Sequence, residues 1–228
     1  MTIVTQDEDA RRCEQAVDTV LTTREGDLVV DPWKGGRLLP VVLEGRTVRL
    51  EPLSHAHEPA LLAAAQDERI WRFTIHDPRT PESMHAYVAS ALADQARGEA
   101  LPFAVHHHAA GRVIGATRFH SISAADRGIE IGFTWYAPEF WRTRVNTECK
   151  YLMLSYAFEV LQCIRVELKT DGRNDRSRAA ILRLGAREEG TLRSKVIMRD
   201  GHRRDAVYFS ILDHEWPAVK DRLERMLR

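Results

Sequence analysis

The chain has 228 residues, and its 33 Lys plus Arg balance its 33 Asp plus Glu, so the formal net charge is zero. No global field draws nucleic acid or an acidic membrane, no run of about eighteen apolar residues offers a membrane span, and the N-terminus lacks the basic-then-apolar order of a signal peptide. A soluble, cytoplasmic protein is expected, and Cys13, Cys149 and Cys163 are too scattered for a disulfide framework or a paired-cysteine metal site.

Residues 1–39 read as an N-terminal extension and linker, and residues 40–228 as one main domain. Within the extension, Cys13, Val17, Val20 and Leu21 allow a short amphipathic helix, and Asp31-Pro32-Trp33-Lys34-Gly35-Gly36 reads as a turn. From Pro40 the pattern becomes regular. Val41 to Leu43 and Thr47 to Glu51 predict a strand pair, or one strand broken by a turn, around Glu44-Gly45, and Ser54 is suited to cap a helix running to about Gln66. Thr80-Pro81 opens a second helix, with Met84, Tyr87, Val88 and Ala91 on one face and Gly98 past its end. Leu101 to His107 and Arg112 to Ile122 are strands of a meander.

The stretch from Gly128 to Leu161 organises the rest. Ile129, Ile131 and Phe133 alternate with Glu130, Gly132 and Thr134, which is the period of a strand with two unlike faces, extended by Trp135 and Tyr136. Pro138 ends it. After the basic turn Trp141 to Arg144, Asn146 or Thr147 is the expected N-cap of a helix that buries Cys149, Met153, Tyr156, Ala157 and Val160. A helix N-terminus carries free N–H groups and partial positive charge, so Arg142 and Arg144 just before it suit a phosphate or pyrophosphate. Cys149, on the core face, is expected to be a buried thiol rather than a nucleophile.

Ile164 to Thr170 alternates strictly, and a helical crossover makes it parallel to the strand at Ile129. Arg176 to Leu184 is a short helix ended by Gly185. Leu192 to Arg199 and Ala206 to Leu212 flank the hairpin signal Asp200-Gly201, and Trp216, Val219, Leu223 and Met226 share one face of a last helix. This order specifies an α+β domain on a mixed sheet with one parallel pair at its centre. Where such a pair separates at its carboxyl ends, a ligand crevice opens.

Three groups of residues, Glu130-Ile131-Gly132-Phe133-Thr134-Trp135, Trp141 to Glu148, and Asn174-Asp175-Arg176-Ser177 with Ile181-Leu182-Arg183-Leu184-Gly185-Ala186, resemble the motifs of the GCN5-related N-acetyltransferases (GNAT). The resemblance covers about Val41 to Leu223 and is similar to the branch of ribosomal-protein N-terminal acetyltransferases. It implies a mostly antiparallel sheet of about seven strands splayed at its parallel pair for CoA, acetyl-CoA as donor, and an amine acceptor on a protein N-terminus or a small molecule. It further implies that Arg142, Thr143, Arg144, Val145, Asn146 and Thr147 wrap the pyrophosphate and that Asn174, with Ser177 as a weaker candidate, contacts the CoA arm. In two respects the chain departs from the family. Arg144 stands at a position usually held by Gly, where a left-handed backbone would cost about 1 kcal/mol, and Ile181 stands where a Tyr often protonates the departing thiolate.

Acetyl transfer to an amine also needs a base and an oxyanion site. Glu130, facing away from Ile129 and Ile131, is the first candidate base, and His120 on the preceding strand the second. Backbone N–H groups at Trp135 and Tyr136 are candidate oxyanion donors if the strand bulges there. Tyr208 and Ser210 are weak substitutes for the missing acid. No metal site is expected from His106-His107-His108 or from His55 with His57, because neither group has a carboxylate or Cys at ligand spacing. The walls of the acceptor site are expected from Trp71 to His76, the second helix and the Asp200 hairpin. No nucleic-acid or membrane partner is expected, and a homodimer is left open. The rival reading is a catalytically inactive acyl-CoA-binding module on the same fold.

Overall fold

The computed structural model describes residues 2–4, 33 and 38–228; the helix expected around Cys13 to Leu21 lies outside the described residues. One mixed sheet contains β1 (Thr2–Val4), β2 (Val42–Glu44), β3 (Val48–Pro52), β4 (Ala100–His107), β5 (Arg112–Ser123), β6 (Gly128–Tyr136), β7 (Arg165–Asp171), β8 (Arg187–Ile197) and β9 (Arg203–Leu212). Their spatial order is β1-β2-β3-β4-β5-β6-β7-β9-β8, and every neighbouring pair is antiparallel except β6 with β7. Among the described residues the sheet has nine strands where about seven were expected, because Thr2–Val4 adds an edge and the segment before Gly45 is a strand of its own. β8 starts at Arg187, five residues before Leu192, since Arg187 and Glu188 already pair with Ser210 and Phe209.

Helices α1 (Glu58–Ala64) and α2 (Pro81–Ala96) cover one face of the sheet, burying Leu61, Met84, Tyr87, Val88 and Ala91 against Ala104, Val113, Ala116 and Trp135. Helices α3 (Val145–Ser155), α4 (Asp175–Leu184) and α5 (Trp216–Leu227) cover the other, with Cys149, Leu152, Met153, Ile181, Leu184 and Leu223 packed on Leu43, Leu50, Phe119, Ile129 and Ile131. The local signals explain these elements. Thr80 Oγ1 accepts from Ser83 N ahead of Pro81, Asn174 Oδ1 accepts from Ser177 N, and Gly185 ends α4 at φ 110°. Ser54 caps a single 3₁₀ turn, His55–His57, instead of a long helix, because the His57 ring reaches back to its N–H; α1 then begins at Glu58.

Two departures concern α3. It begins at Val145, with Arg144 as N-cap, earlier than Asn146 or Thr147, because Asn146 Oδ1 is occupied by the Tyr136 hydroxyl and Thr143 Oγ1 accepts from Val145 N. Its end is a π turn, Tyr156–Val160. Buried Glu148 on its first turns accepts from Arg46 N at 2.6 Å and Thr47 N at 2.9 Å, fastening the β2–β3 turn to the helix.

The feature that shapes the centre of the sheet is a bulge. Arg118 pairs with Gly132 but Ala116 with Trp135, so β6 carries one residue more than β5 across this step, and Phe133 lies at φ 50°. The bulge pushes Trp135 O toward β5, where a Cβ built on Gly115 would come within 2.0 Å of it. Gly115→Ala is therefore expected to lower stability by about 2–3 kcal/mol, an overpacking cost, whereas Gly128→Ala, with nothing within 4 Å of its added Cβ, should be near neutral. Denaturant unfolding checks this pair; equal midpoints would contradict the constraint.

Candidate active site

β6 and β7 pair only at Gly128 with Arg165, Ile129 with Val166 and Glu130 with Glu167. Beyond them β6 continues along β5 to Tyr136 while β7 follows β9 to Asp171, so a crevice opens at the carboxyl ends of the two parallel strands. The bulge lies on its wall, and Phe133 and Thr134 have no partner in the β5 ladder, which leaves their peptide groups outside the sheet's pairing.

The basic turn stands at the mouth of the crevice. Trp141 Nε1 donates to Tyr136 O at 2.9 Å, fixing the indole. The Arg176 guanidinium stacks on that ring at 3.7 Å, and Arg69 approaches it at 5.5 Å. Burial, then the charges of Arg142 and Arg69, depress the Arg176 guanidinium, and no carboxylate among the described residues relieves it. Arg142 adopts φ 60°, so the left-handed position of the turn falls there and not at Arg144, which has the helical φ of −71°. Arg144 Nη1 instead donates to Leu227 O, the last carbonyl of α5. The Val145 and Thr147 side chains are buried, with Thr147 Oγ1 accepting from Arg183, and the Val145 N–H is taken by Thr143 Oγ1, so of this pair the main-chain N–H of Thr147 is the group left for a ligand. Arg176 lies in the first turn of α4 beside Asn174 and Ser177, and its stacking brings that helix start to the turn; the Asn174 oxygen is occupied by its cap while its amide nitrogen remains a donor.

On the α2 side of the sheet, the two candidate bases meet. His120 and Glu130 are a cross-strand pair, with Nε2 and Oε1 3.3 Å apart but not aligned as a hydrogen bond, so each keeps a buried atom without a partner. Lys169 Nζ donates to the other Glu130 oxygen at 3.0 Å. Burial raises the Glu130 carboxyl, but His120 and Lys169 outweigh it and hold it below its ordinary value. Gly132 makes room for this pair, since a Cβ there would sit 2.4 Å from His120 Nε2.

The surroundings are aromatic and cationic. Phe133 lies edge-on to His120 at 5.0 Å and under the buried Arg118 guanidinium at 3.9 Å. His76, whose Nε2 is buried and unpartnered, is kept neutral by burial and by the charges of Arg118 and Arg199. Arg199, from the β8–β9 hairpin, donates to Asp77 Oδ2 at 2.6 Å and Trp71 O at 3.2 Å, latching the hairpin to the 71–77 segment. Of the proposed substitute acids, Ser210 donates to Glu189 and is committed, and Tyr208 pairs beside Lys169. Cys149 is fully buried, and burial pushes its thiol up to about 12, which removes it as a nucleophile. His55 and His85 both contact Glu58, which lies three residues after His55, so the carboxylate expected to be missing beside His55 is present; only the His85 arm, from α2, has no spacing signal in the sequence. Lys169 and Arg199 carried no motif, and neither the motif that contains Arg176 nor the wall segment that contains His76 singled these residues out; each acquires its position from a crossover or a hairpin latch.

The profile of the acetyltransferase (GNAT) domain family matches residues 47–187. YdaF of Bacillus subtilis (strain 168), whose name assigns it provisionally to the ribosomal N-acetyltransferases, is 34% identical over 110 residues, 48% of this chain and 59% of its own length. A GCN5-related N-acetyltransferase from Brucella melitensis superposes with a TM-score of 0.77 at 34% identity, covering 82% of this chain and 85% of that one. Mycobacterium smegmatis RimJ, solved in complex with CoA-disulfide, shares the fold with a TM-score of 0.69 at 24% identity over 82% of this chain and 92% of that one. With its profile spanning more than half of the sequence, and with the splayed parallel pair and motif order in place, the chain belongs to the GNAT acetyltransferase family and is an acyltransferase enzyme of that family.

Proposed function

We propose that the protein transfers the acetyl group of acetyl-CoA to a primary amine, on a protein N-terminus or a small molecule, by direct attack on the thioester. The observation that carries this reading is the crevice between β6 and β7, with Arg142 and Arg176, unpaired among the described residues, at its mouth and an ionised carboxylate on its wall. The names of YdaF and RimJ and the CoA-disulfide held by RimJ support the same donor and a protein acceptor.

When bound, acetyl-CoA supplies the activated acetyl group. The free N–H groups at the start of α3, together with Arg142 and Arg176, suit its pyrophosphate, and the Asn174 amide suits its arm. Glu130, with His120 beside it, takes the proton that the amine loses as its nitrogen bonds to the acetyl carbon and the carbon–sulfur bond breaks. Peptide N–H groups at the bulge receive the negative charge on the acetyl oxygen. The Arg199 latch, with Trp71, His76 and Phe133, encloses the acceptor side.

Calorimetric titration with acetyl-CoA is expected to show binding weakened roughly tenfold by Arg142→Ala or Arg176→Ala and little changed by Arg144→Ala, whose side chain serves α5. Unchanged affinity in the first two variants would move the phosphates elsewhere. With wild-type binding established, Glu130→Gln should lower kcat on a panel of peptide and small-molecule amines by about 10²-fold. Binding without transfer to any amine would instead favour the acyl-CoA-binding module.

Glu130 also makes a pH prediction. Its folded carboxyl titrates below the unfolded value of 4.5, so ionised Glu130 stabilises the fold above that value and the contribution is lost as pH falls through the lower folded pKa. Thermal unfolding followed from about pH 7 to about pH 3 should show Glu130→Gln losing less stability than wild type over the acid part of the range. Arg199→Ala, which opens the latch, should raise the acceptor KM about tenfold while leaving acetyl-CoA affinity unchanged, as steady-state kinetics with both substrates varied would reveal.

A further inference from the structure

Lys150 is buried in the second turn of α3 with 5% exposure. Its Nζ donates to Thr134 Oγ1 at 2.6 Å and reaches Thr117 Oγ1 at 3.4 Å; those two hydroxyls are 2.8 Å apart, and Thr117 Oγ1 lies 3.6 Å from Met153 Sδ. The chain of contacts therefore runs from an ammonium to the bulge residue on the crevice wall. No carboxylate stands within ion-pair distance of Nζ among the described residues. On its own helix, Glu148 is committed to the β2–β3 turn and Cys149 is a neutral thiol; on β6, the Tyr136 phenol is raised far up by burial and is also neutral; the hydrogen-bond partners of Nζ among the described residues are the two threonine hydroxyls of β5 and β6. Burial pushes the Lys150 ammonium down to about 8, which keeps it charged at neutral pH. A buried cation without a counter-charge is costly, and an apolar residue of the same length would fill the space at less cost.

We infer that Lys150 is a positioning residue for acetyl transfer: acting through Thr134, it fixes the bulge and gives that end of the crevice the positive potential that a departing thiolate requires. The inference rests on the acetyltransferase reading. In the step concerned, the amine nitrogen bonds to the acetyl carbon, the carbon–sulfur bond breaks with its electron pair going to sulfur, and the amine proton goes to the Glu130–His120 pair. Ile181 replaces the family Tyr and Ser210 is bound to Glu189, so sulfur receives a proton from neither position. A nearby cation lowers a thiol pKa, so the thiolate departs unprotonated.

The test uses the full chain with Lys150→Met, which keeps length and removes charge, and Thr134→Val, which cuts the relay. The thiolate ultraviolet absorbance of bound CoA is titrated against pH. In wild type the bound thiol is expected below its free value of about 8.5, and higher by about 1 in each variant. With an accepted amine, kcat should fall about tenfold at constant acetyl-CoA KM, and a decline of wild-type kcat above about pH 8 should vanish in Lys150→Met. If Lys150 only fills space, Lys150→Met will be as stable as wild type with the thiol pKa and pH profile unmoved, which overturns the inference alone. A wild-type protein that binds no CoA overturns the acetyltransferase reading and this inference together. Should Lys150→Met fail to fold, Thr134→Val decides the question through the same two readouts.

Discussion

The structure depends on a competition for hydrogen bonds at the centre of the sheet. β7 is committed to β9 along its full length, from Arg165 with Leu212 to Asp171 with Ala206, and β6 is committed to β5. After Glu130 and Glu167 the two parallel strands cannot satisfy each other and their outer partners at once, and they part. Strand twist then widens the gap. The extra residue at the bulge re-aims β6 at this point, so that one backbone irregularity both turns Thr134 toward α3 and leaves Phe133 on the α2 side. Gly115 and Gly132 are the spaces that permit it.

Charge is arranged locally, consistent with a net charge of zero. Around the acceptor side each arginine has a carboxylate or an aromatic face: Arg199 and Arg79 share Asp77, and Arg118 lies between Tyr87 and Phe133 with Asp94 beyond. At the mouth of the crevice Arg176 stacks on an indole between two other arginines; Arg69 is paired with Asp67, but among the described residues Arg176 and Arg142 have no ion-pair partner. Neighbouring cations without acids of their own hold repulsive free energy that an anionic ligand relieves, and this distinguishes the two sets more sharply than their number does.

Much of this organisation was legible in the sequence. Alternation along Gly128–Tyr136 separated Glu130 from Ile129 and Ile131, the helical crossover made β7 parallel to it, and Asn174 and Gly185 bounded α4. The bulge was expected only conditionally and at Trp135 and Tyr136; it falls at Phe133 and Thr134, so Phe133 leaves the face of Ile129 and Ile131 and Thr134 leaves that of Glu130, against the alternation, because a left-handed Phe133 has no local signature. The start of α3 was read too late since Asn146, a good cap by type, is engaged by Tyr136. Lys150 went unnoticed for a related reason: it adjoins Cys149 on a helix whose charged positions ordinarily face water, and only the threonine pair on the sheet accounts for its burial.

Trp33 lies before both the family match and the regular part of the domain, yet it is buried and its Nε1 donates to Leu161 O at 2.7 Å, just beyond the π turn that ends α3. Leu38 joins the same core. The segment recognisable by kinship and the unit that folds are thus of different extent. A fragment trimmed to the recognisable part would expose a Trp-sized recess beside Leu161 and leave a main-chain acceptor there without its donor.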